Sequence, residues 1–249
     1  MLGKLIEKFI GDRLQFYMIS NNFIYQSQLG GLKFKSTSDA GMTLTHFIHM
    51  GWVRNLFTST LAFDISQFFP SLNHWLLTLI LGKVGLDPRV VKFFSNYLIG
   101  RRTQYFWNSF SFSFFNVDVG VDQGSALSSI LSAIYLASFL HILENCLKIL
   151  KISVSILSFV DDGLLIAQSK SFSISNSLLF YSYNIISSFL SRFGLIVEHS
   201  KTEVFHFTRS NGSFNSPSLD CSSIGSLTLY PKDTWKYLGF IFDKKLSFH

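Results

Sequence analysis

Two adjacent carboxylates set between two apolar segments constrain the fold of this chain more than any other feature. Apolar and β-branched residues run from Ile152 to Val160 and resume from Leu164 to Ala167. This pattern predicts two strands joined by a tight turn, and we expect the turn to carry Asp161, Asp162 and Gly163. The two carboxylates therefore sit where water and ions can reach them.

Adjacent carboxylates repel each other unless a cation lies between them or solvent screens them, so a divalent metal ion is their natural partner. The alternative is that Asp-Asp-Gly is only a favourable hairpin turn, since Asp and Gly suit turns for backbone reasons. A third carboxylate, Asp64, ends the apolar segment that starts at Ser59, which predicts a buried strand. Convergence of Asp64 with Asp161 and Asp162 would outline a site for two Mg²⁺ ions.

The overall charge is compatible with nucleic acid but does not require it. The chain has 21 Lys and Arg against 15 Asp and Glu, a formal net charge of +6. Cys146 and Cys221 are isolated, which is typical of a reducing compartment. Charges interrupt the first residues, so no signal peptide is expected and we predict an intracellular location, of which the nucleus is one compartment. These charges are Lys4, Glu7, Lys8, Asp12 and Arg13.

Hydropathy raises a membrane alternative. The chain contains 28 Phe and its mean hydropathy is +0.32. The uncharged runs Gln123 to Leu143 and Ser171 to Ser191 are long enough to cross a bilayer. Both runs are diluted by Ser, Asn or Gln and lack the aromatic belts and one-sided Lys/Arg bias of membrane spans. We therefore expect no membrane partner, and a multi-pass membrane protein is the weaker hypothesis.

Periodicity and capping residues predict alternating helices and strands without an internal repeat. The predicted helices are about 3–20, 40–55, 71 to 82–85, 88–100, 127–147 and 173–193. The predicted strands and hairpins are 59–64, 103–119 turning at Asn108-Ser109, 152–167, 195–207, 227–230 and 235–242, with a loop over 208–226.

Two further groups have both a functional and a structural interpretation. His46 and His49 lie three apart on a predicted helix and could share a metal, but no third ligand is near in the sequence. Arg101 and Arg102 follow the end of the helix that closes at Gly100, where positive charge is favoured. That position explains the two arginines without a ligand, and phosphate binding is the functional alternative.

Several segments occur in the order seen in reverse transcriptases, and they resemble most those of non-LTR, LINE-type retrotransposons. The central ones are residues 62–74, AFDISQFFPSLNH, residues 120–128, GVDQGSALS, and residues 159–162, FVDD. The resemblance extends to residues 29–40, to residues 194–203 and to residues 236–239, KYLG. It therefore covers nearly the whole chain.

The resemblance implies the roles of the catalytic residues. Asp64, Asp161 and Asp162 would be the catalytic carboxylates and metal ligands, joined by the backbone oxygen of Ile65. Lys201 matches the position of a general acid for the pyrophosphate leaving group, although a surface lysine on a hairpin is a structural alternative.

It also implies the substrate contacts. Phe69 would be the bulky gate that excludes a 2′-hydroxyl, with a core aromatic as the alternative. Gln123 and Gly124 would contact the incoming nucleotide and template, and otherwise they form a loop before a helix. The primer grip is implied at Lys236, Tyr237, Leu238 and Gly239, which are otherwise edge-strand residues.

The function implied by the resemblance is RNA-directed DNA polymerisation. A primer 3′-hydroxyl would attack the α-phosphate of a deoxynucleoside triphosphate on an RNA template, with Mg²⁺ as cofactor and Mn²⁺ able to replace it. The implied partners are an RNA template, a DNA primer and dNTPs. A different hypothesis is a decayed retroelement fragment that keeps the fold and weak nucleic-acid binding but has no turnover.

The implied fold class is α+β, a right-hand polymerase palm with an antiparallel, ferredoxin-like sheet of βαββαβ type backed by helices, and partial helical fingers. The expected division is 1–58 partial fingers, 59–69 palm, 70–118 fingers insertion, 119–230 palm, and 231–249 primer-grip strand with the start of the thumb.

The sequence departs from the family pattern at Asp122, Ala126 and Ser129, where proline is usual; loss of proline frees the backbone of that loop. We also expect the family's basic fingers segment to precede residue 1 and its thumb to be cut off near Phe248. The endonuclease and zinc-knuckle regions of full-length elements have no counterpart in the sequence.

Overall fold

The computed structural model describes residues 2–209, 217–221 and 227–247. Its helices are α1 (Leu2–Ser20), α2 (Thr37–Val53), α3 (Phe68–Ser71), α4 (His74–Lys83), α5 (Pro88–Leu98), α6 (Ala126–Ile149) and α7 (Phe172–Arg192). A short 3-10 turn covers His199–Lys201.

The strands are β1 (Phe57–Ser66), β2 (Arg101–Thr103), β3 (Phe106–Trp107), β4 (Phe110–Ser111), β5 (Phe115–Val117), β6 (Val154–Phe159), β7 (Asp162–Ser169), β8 (Ile196–Val197), β9 (Glu203–Phe207), β10 (Leu219–Cys221), β11 (Leu227–Leu229), β12 (Thr234–Tyr237) and β13 (Phe240–Asp243).

The main sheet has the order β6-β7-β1, with β8 and β9 both pairing the far side of β1. All of these pairings are antiparallel. In chain order the elements are β1, α6, β6, β7, α7 and then β8 with β9, and helices α3 to α5 with the small hairpins lie between β1 and α6. This is the predicted ferredoxin-like βαββαβ sheet, and it confirms the α+β fold class.

Alternation along the central strands builds a separate core on each face of the sheet. Leu61 and Leu165 belong to the larger core, with α6 and α7. Leu164 and Ile166 belong to the second core, with α2 and the β12–β13 hairpin. The sheet is therefore covered on both faces. The end of β1 that carries Asp64 lies between the layer of α6 and α7 and the layer of α2 and the β12–β13 hairpin.

Helix α6 is the central helix of the larger core. Within the described residues, Ser128–Ile149 is the one helical stretch apolar and long enough to cross a membrane, and 67% of its most apolar window is buried inside the protein. It contacts α1, α4 and α7. The second uncharged run in the sequence, which forms α7, does not meet the same criterion.

The segment before α2 covers the free edge of β6. The Leu29 amide donates to the Ser158 carbonyl at 2.8 Å, and the Ser158 amide donates to the Ser27 carbonyl at 3.0 Å. The pairing of Gln28 with Ser158 is parallel. Because this edge is paired, the strand that leads to the two adjacent carboxylates is held on both sides.

Two strand predictions are corrected by the structure. The turn between β6 and β7 consists of Val160 and Asp161, so Asp162 and Gly163 already belong to β7. The predicted hairpin over 195–207 does not pair with itself, because β8 and β9 pair with successive parts of β1. The turn predicted at Asn108-Ser109 is confirmed by the pairing of Trp107 with Phe110.

Part of the predicted loop over 208–226 lies outside the described residues, namely 210–216 and 222–226, and so does the side chain of Cys221. The described ends of this segment, β10 and β11, pair with each other.

Candidate active site

Strand pairing brings the predicted catalytic carboxylates to one edge of the sheet. Asp64 and Asp162 are direct cross-strand partners on β1 and β7. Ala62 and Leu164, two residues along each strand, pack with the second core, so both carboxylates belong to that face. The Ile65 amide donates to the Asp161 carbonyl at 3.0 Å, which ties the turn to the end of β1.

The turn that carries Asp161 is strained. Val160 has φ +58°, in the left-handed region that β-branched residues avoid. Gly30 packs directly on this turn, since a methyl group there would lie 2.3 Å from the Val160 nitrogen and 2.6 Å from the Phe159 carbonyl carbon. The surrounding structure holds the turn in place, as is common where backbone strain is kept at a functional site.

Gly163 is required by packing rather than by the turn. It pairs with Phe63 across the strands, and a methyl group on Gly163 would lie 2.1 Å from Phe63 Cζ. The aromatic ring therefore covers the backbone of β7 next to Asp162. This contact explains why glycine follows the two carboxylates although it lies inside a strand.

Lys201 is the basic residue of the site. Its Nζ lies 2.5 Å from Asp64 Oδ2, and the Glu198 amide donates to the Asp64 carbonyl at 2.8 Å. The 3-10 turn between β8 and β9 carries Lys201 to the end of β1. The bond to Asp64 and its charge raise the pKa of Lys201, so the ammonium stays protonated at neutral pH.

The carboxylates are crowded electrostatically. Burial, and then the charges of Asp161 and Asp64, raise the pKa of Asp162 to about 6. Burial is also the main reason that the pKa of Asp161 is raised. Lys201 opposes both shifts. A cation at this edge would relieve the repulsion and favour the ionised forms.

The chemistry of these donors fits a divalent metal ion. They are hard oxygen ligands gathered at one strand edge, and the Lys201 ammonium already neutralises one of them. Among the described residues, no three His, Cys, Asp or Glu side chains are close enough together to enclose a metal ion. Asp64, Asp161 and Asp162 are the residues that would hold one.

A cavity of about 210 Å³ opens beside the carboxylates, with the β12–β13 hairpin as its far wall. Tyr237 is 5% exposed and stacks on Trp235 at 5.0 Å between ring centroids. Its buried hydroxyl has no hydrogen-bond partner among the described residues. Burial, and then the charge of Asp162, raise the Tyr237 pKa.

The remaining predicted primer-grip residues lie at the end of β12 and in the turn that follows it. Leu238 and Gly239 have φ +48° and +90°, so they form the two-residue turn between β12 and β13. Lys236 is exposed. Tyr237 is directed into the core and Leu238 is partly buried against it, while Lys236 and Gly239 are exposed.

Phe69 lies in the short helix α3 directly after β1. Its neighbour Phe68 is buried, at 3% exposure, whereas Phe69 is half-buried. The Val121 amide donates to the Phe69 carbonyl at 2.9 Å. Phe69 is thus partly open, next to the loop that carries Gln123 and Gly124.

Gln123 and Gly124 are exposed in the loop before α6. Gly124 has φ +96°, which glycine adopts without strain. Arg101 forms an ion pair with Asp122 of this loop, and Arg102 is exposed. The predicted arginine pair is therefore divided: one member holds the loop and the other faces solvent.

The sequence did not single out Glu203 or Gly30. Glu203 lines the same cavity as the carboxylates and forms an ion pair with Lys232. Its place two residues after Lys201, at the start of a strand, was the available signal. His46 and His49 instead line a separate groove beside β13, and no metal site includes them within the described part of the chain.

Comparison with known proteins places this chain in a family. A family model described as reverse transcriptase (RNA-dependent DNA polymerase) matches residues 1–242. No match is found among curated protein sequences.

Solved telomerase structures share the fold. Apo telomerase from Candida tropicalis superposes with a TM-score of 0.67 at 14% identity, covering 97% of this chain and 39% of that one. Telomerase from the same organism in complex with a TWJ fragment of telomeric RNA gives 0.60 at 17% identity, covering 77% and 31%. The Candida albicans complex gives 0.53 at 19%, covering 85% and 35%. The chain spans well under half the length of these telomerases.

Proposed function

The chain belongs to the reverse transcriptase family, and on that basis we propose that it forms the palm and part of the fingers of an active RNA-directed DNA polymerase. The observation that carries the proposal is the cross-strand pair of Asp64 and Asp162, with Asp161 in the adjoining turn. Acidic side chains gathered in this way suit metal-assisted transfer of a nucleotide.

The proposed reaction adds one deoxynucleotide to a primer. The primer 3′-hydroxyl loses its proton to solvent water, its oxygen forms a bond to the α-phosphorus, and the bond from that phosphorus to pyrophosphate breaks. Asp64, Asp161 and Asp162 would hold two Mg²⁺ ions, or Mn²⁺ in their place, and ions held there would make the hydroxyl more acidic and neutralise the leaving group. Lys201, protonated beside Asp64, would donate the proton that pyrophosphate takes up.

The substrate contacts follow from the open parts of the site. Phe69, half-buried after β1, would exclude a 2′-hydroxyl. Gln123 and Gly124 would contact the nucleotide and template. The exposed Lys236 and the turn of the β12–β13 hairpin would hold the primer end. The telomerase solved with telomeric RNA supports a nucleic-acid partner for this fold.

We further propose that the chain derives from a non-LTR, LINE-type retrotransposon and acts inside the cell, in the nucleus. The order of the segments at 62–74, 120–128 and 159–162 supports this subtype. The division into fingers, palm and primer-grip segments given above belongs to the same proposal.

Primer extension tests the function directly. Purified protein, with an RNA template, a DNA primer and dNTPs in Mg²⁺ or Mn²⁺, is expected to extend the primer. Asp161→Asn and Asp162→Asn are each expected to reduce extension to background, because they remove a charged ligand. Glu144→Gln, which removes an exposed carboxylate on α6, is the matched control and should extend normally.

The competing hypothesis is a fragment without turnover. It predicts that the wild-type protein binds a primer–template duplex but extends nothing in either metal. That result would contradict the proposed activity while leaving the family membership intact.

A further inference from the structure

The loop over 120–125 is fixed firmly where it begins. The Gly120 amide donates to the Leu72 carbonyl at 2.7 Å, and His74 Nε2 lies 2.6 Å from the Gly120 carbonyl. A methyl group on Gly120 would lie 2.7 Å from the Pro70 carbonyl oxygen. The start of the loop is therefore locked to the segment that follows β1.

The loop is also fixed where it ends. Ser125 Oγ donates to Glu7 Oε2 at 2.9 Å and accepts from the Leu127 amide at 3.2 Å, which caps α6. The Tyr97 hydroxyl donates to Glu7 Oε1 at 3.1 Å. One carboxylate from α1 thus connects α5 and the start of α6.

The middle of the loop carries a backbone hydrogen bond, from the Ser125 amide to the Asp122 carbonyl at 3.1 Å, and a side-chain ion pair to a neighbouring element. Arg101 binds the Asp122 carboxylate, and its guanidinium lies 5.8 Å from the centroid of the Tyr97 ring. The Arg101 side chain is only 23% exposed. The ion pair therefore joins the loop to the same α5 residue that contacts Glu7.

Asp122 stands where the family resemblance leads us to expect proline. Proline would restrict the backbone of the loop before it binds anything, whereas aspartate leaves it freer. The ion pair of Asp122 with Arg101 restricts the loop through a side chain instead of through the backbone. The adjacent Gln123 and Gly124 form no ion pair with any described residue and are exposed.

We propose that the Arg101–Asp122 ion pair is a positioning element that holds Gln123 and Gly124 in the orientation that receives the incoming nucleotide. This inference rests on the proposed polymerase function. Arg101 and Asp122 act through the loop in this arrangement, so neither is a catalytic residue.

Charge reversal tests the ion pair. Arg101→Glu and Asp122→Arg, each alone, should raise the KM for dNTP about fivefold with little change in kcat, as for loss of one exposed ion pair. The double variant Arg101→Glu/Asp122→Arg should return the KM to within about twofold of wild type. High salt should reduce the difference between wild type and the single variants.

Hydrogen exchange provides a second measurement that needs no activity. Amides of residues 121–125 should exchange faster in each single variant and recover in the double variant. Lys148→Glu is the matched control, because it makes the same charge change at an exposed pair with Glu144 on α6. It should alter neither the loop exchange nor the KM.

The outcomes separate this inference from the proposed function. Unchanged exchange and KM in the single variants, or a double variant that recovers neither, would overturn the positioning role. A wild-type protein that extends no primer would contradict the polymerase function alone, and the exchange data would still decide whether the ion pair holds the loop.

Discussion

Single residues at the edge of the sheet combine charge with burial at some cost to stability. Asp162 is the clearest case, because burial and two neighbouring carboxylates raise its pKa to about 6 from an ordinary 3.8. Ionisation of Asp162 at neutral pH therefore lowers the stability of the protein.

Asp162→Asn should stabilise the metal-free protein at neutral pH. The native state holds the Asp162 proton up to about pH 6, whereas the unfolded chain loses it near pH 4. Rising pH therefore destabilises the wild type between these values, and the loss is complete above pH 6. The free energy of unfolding of Asp162→Asn should exceed that of the wild type by almost nothing at pH 4 and by about 1–2 kcal/mol at pH 7.5. This figure is smaller than the full pKa shift would give, because solvent partly reaches the side chain.

Urea unfolding with a metal chelator, from pH 4 to 7.5, measures this difference. Burial lowers the pKa of His206 to about 4. This residue titrates in both proteins, so its contribution cancels in the stability difference. A stability difference that does not change with pH would show that Asp162 is not the group responsible.

Pairs of elements account for features that single residues do not. The contact between β1 and β7 places Phe63 over the backbone of Gly163, and that packing keeps the two carboxylates in register. In the same way, the segment before α2 supports the strained turn through Gly30. The active edge is thus built from contacts between elements far apart in the chain.

Gly163→Ala should destabilise the protein by about 1–3 kcal/mol, because the added methyl group overlaps the Phe63 ring. Gly82→Ala in α4 is the control. No atom lies within 4 Å of the added methyl group there, and alanine in a helix should stabilise by about 0.5–1 kcal/mol. Urea unfolding measures the stability of both variants. If Gly163→Ala is as stable as the wild type, the Phe63 ring moves aside at no cost.

At the scale of the whole molecule, one sheet carries two cores that share its central strands. Leu164 and Leu165 are neighbours on β7, both fully buried, yet they belong to different cores. Because every central strand contributes to both, the two cores cannot separate without breaking the sheet. We therefore expect the domain to unfold as one cooperative unit.

Leu164→Ala and Leu165→Ala should each cost about 2–5 kcal/mol by creating a cavity. Unfolding should be a single transition in both variants, with helix content from circular dichroism changing together with the fluorescence of Trp235, measured in a background where Trp52, Trp75 and Trp107 are replaced by Phe. Trp235 reports on the second core. Two separated transitions in Leu164→Ala would show that the hairpin layer unfolds independently.

The sequence by itself determined the order of most elements, the position of Asp64 at the end of a strand and that of Asp161 in a turn, and its motifs implied the fold class through the family resemblance. These features are local: periodicity, capping residues and short motifs contain them. The turn at Asn108-Ser109 and the long helices α6 and α7 were predicted for the same reason.

Only the tertiary structure decided which residues meet. It placed Asp162 and Gly163 in β7 rather than in the turn, paired β8 and β9 with β1, directed Tyr237 inward, and joined Arg101 to Asp122 and Lys201 to Asp64. Each of these depends on a contact between residues distant in the chain. Local pattern cannot determine such contacts, because they follow from how the layers pack around one sheet.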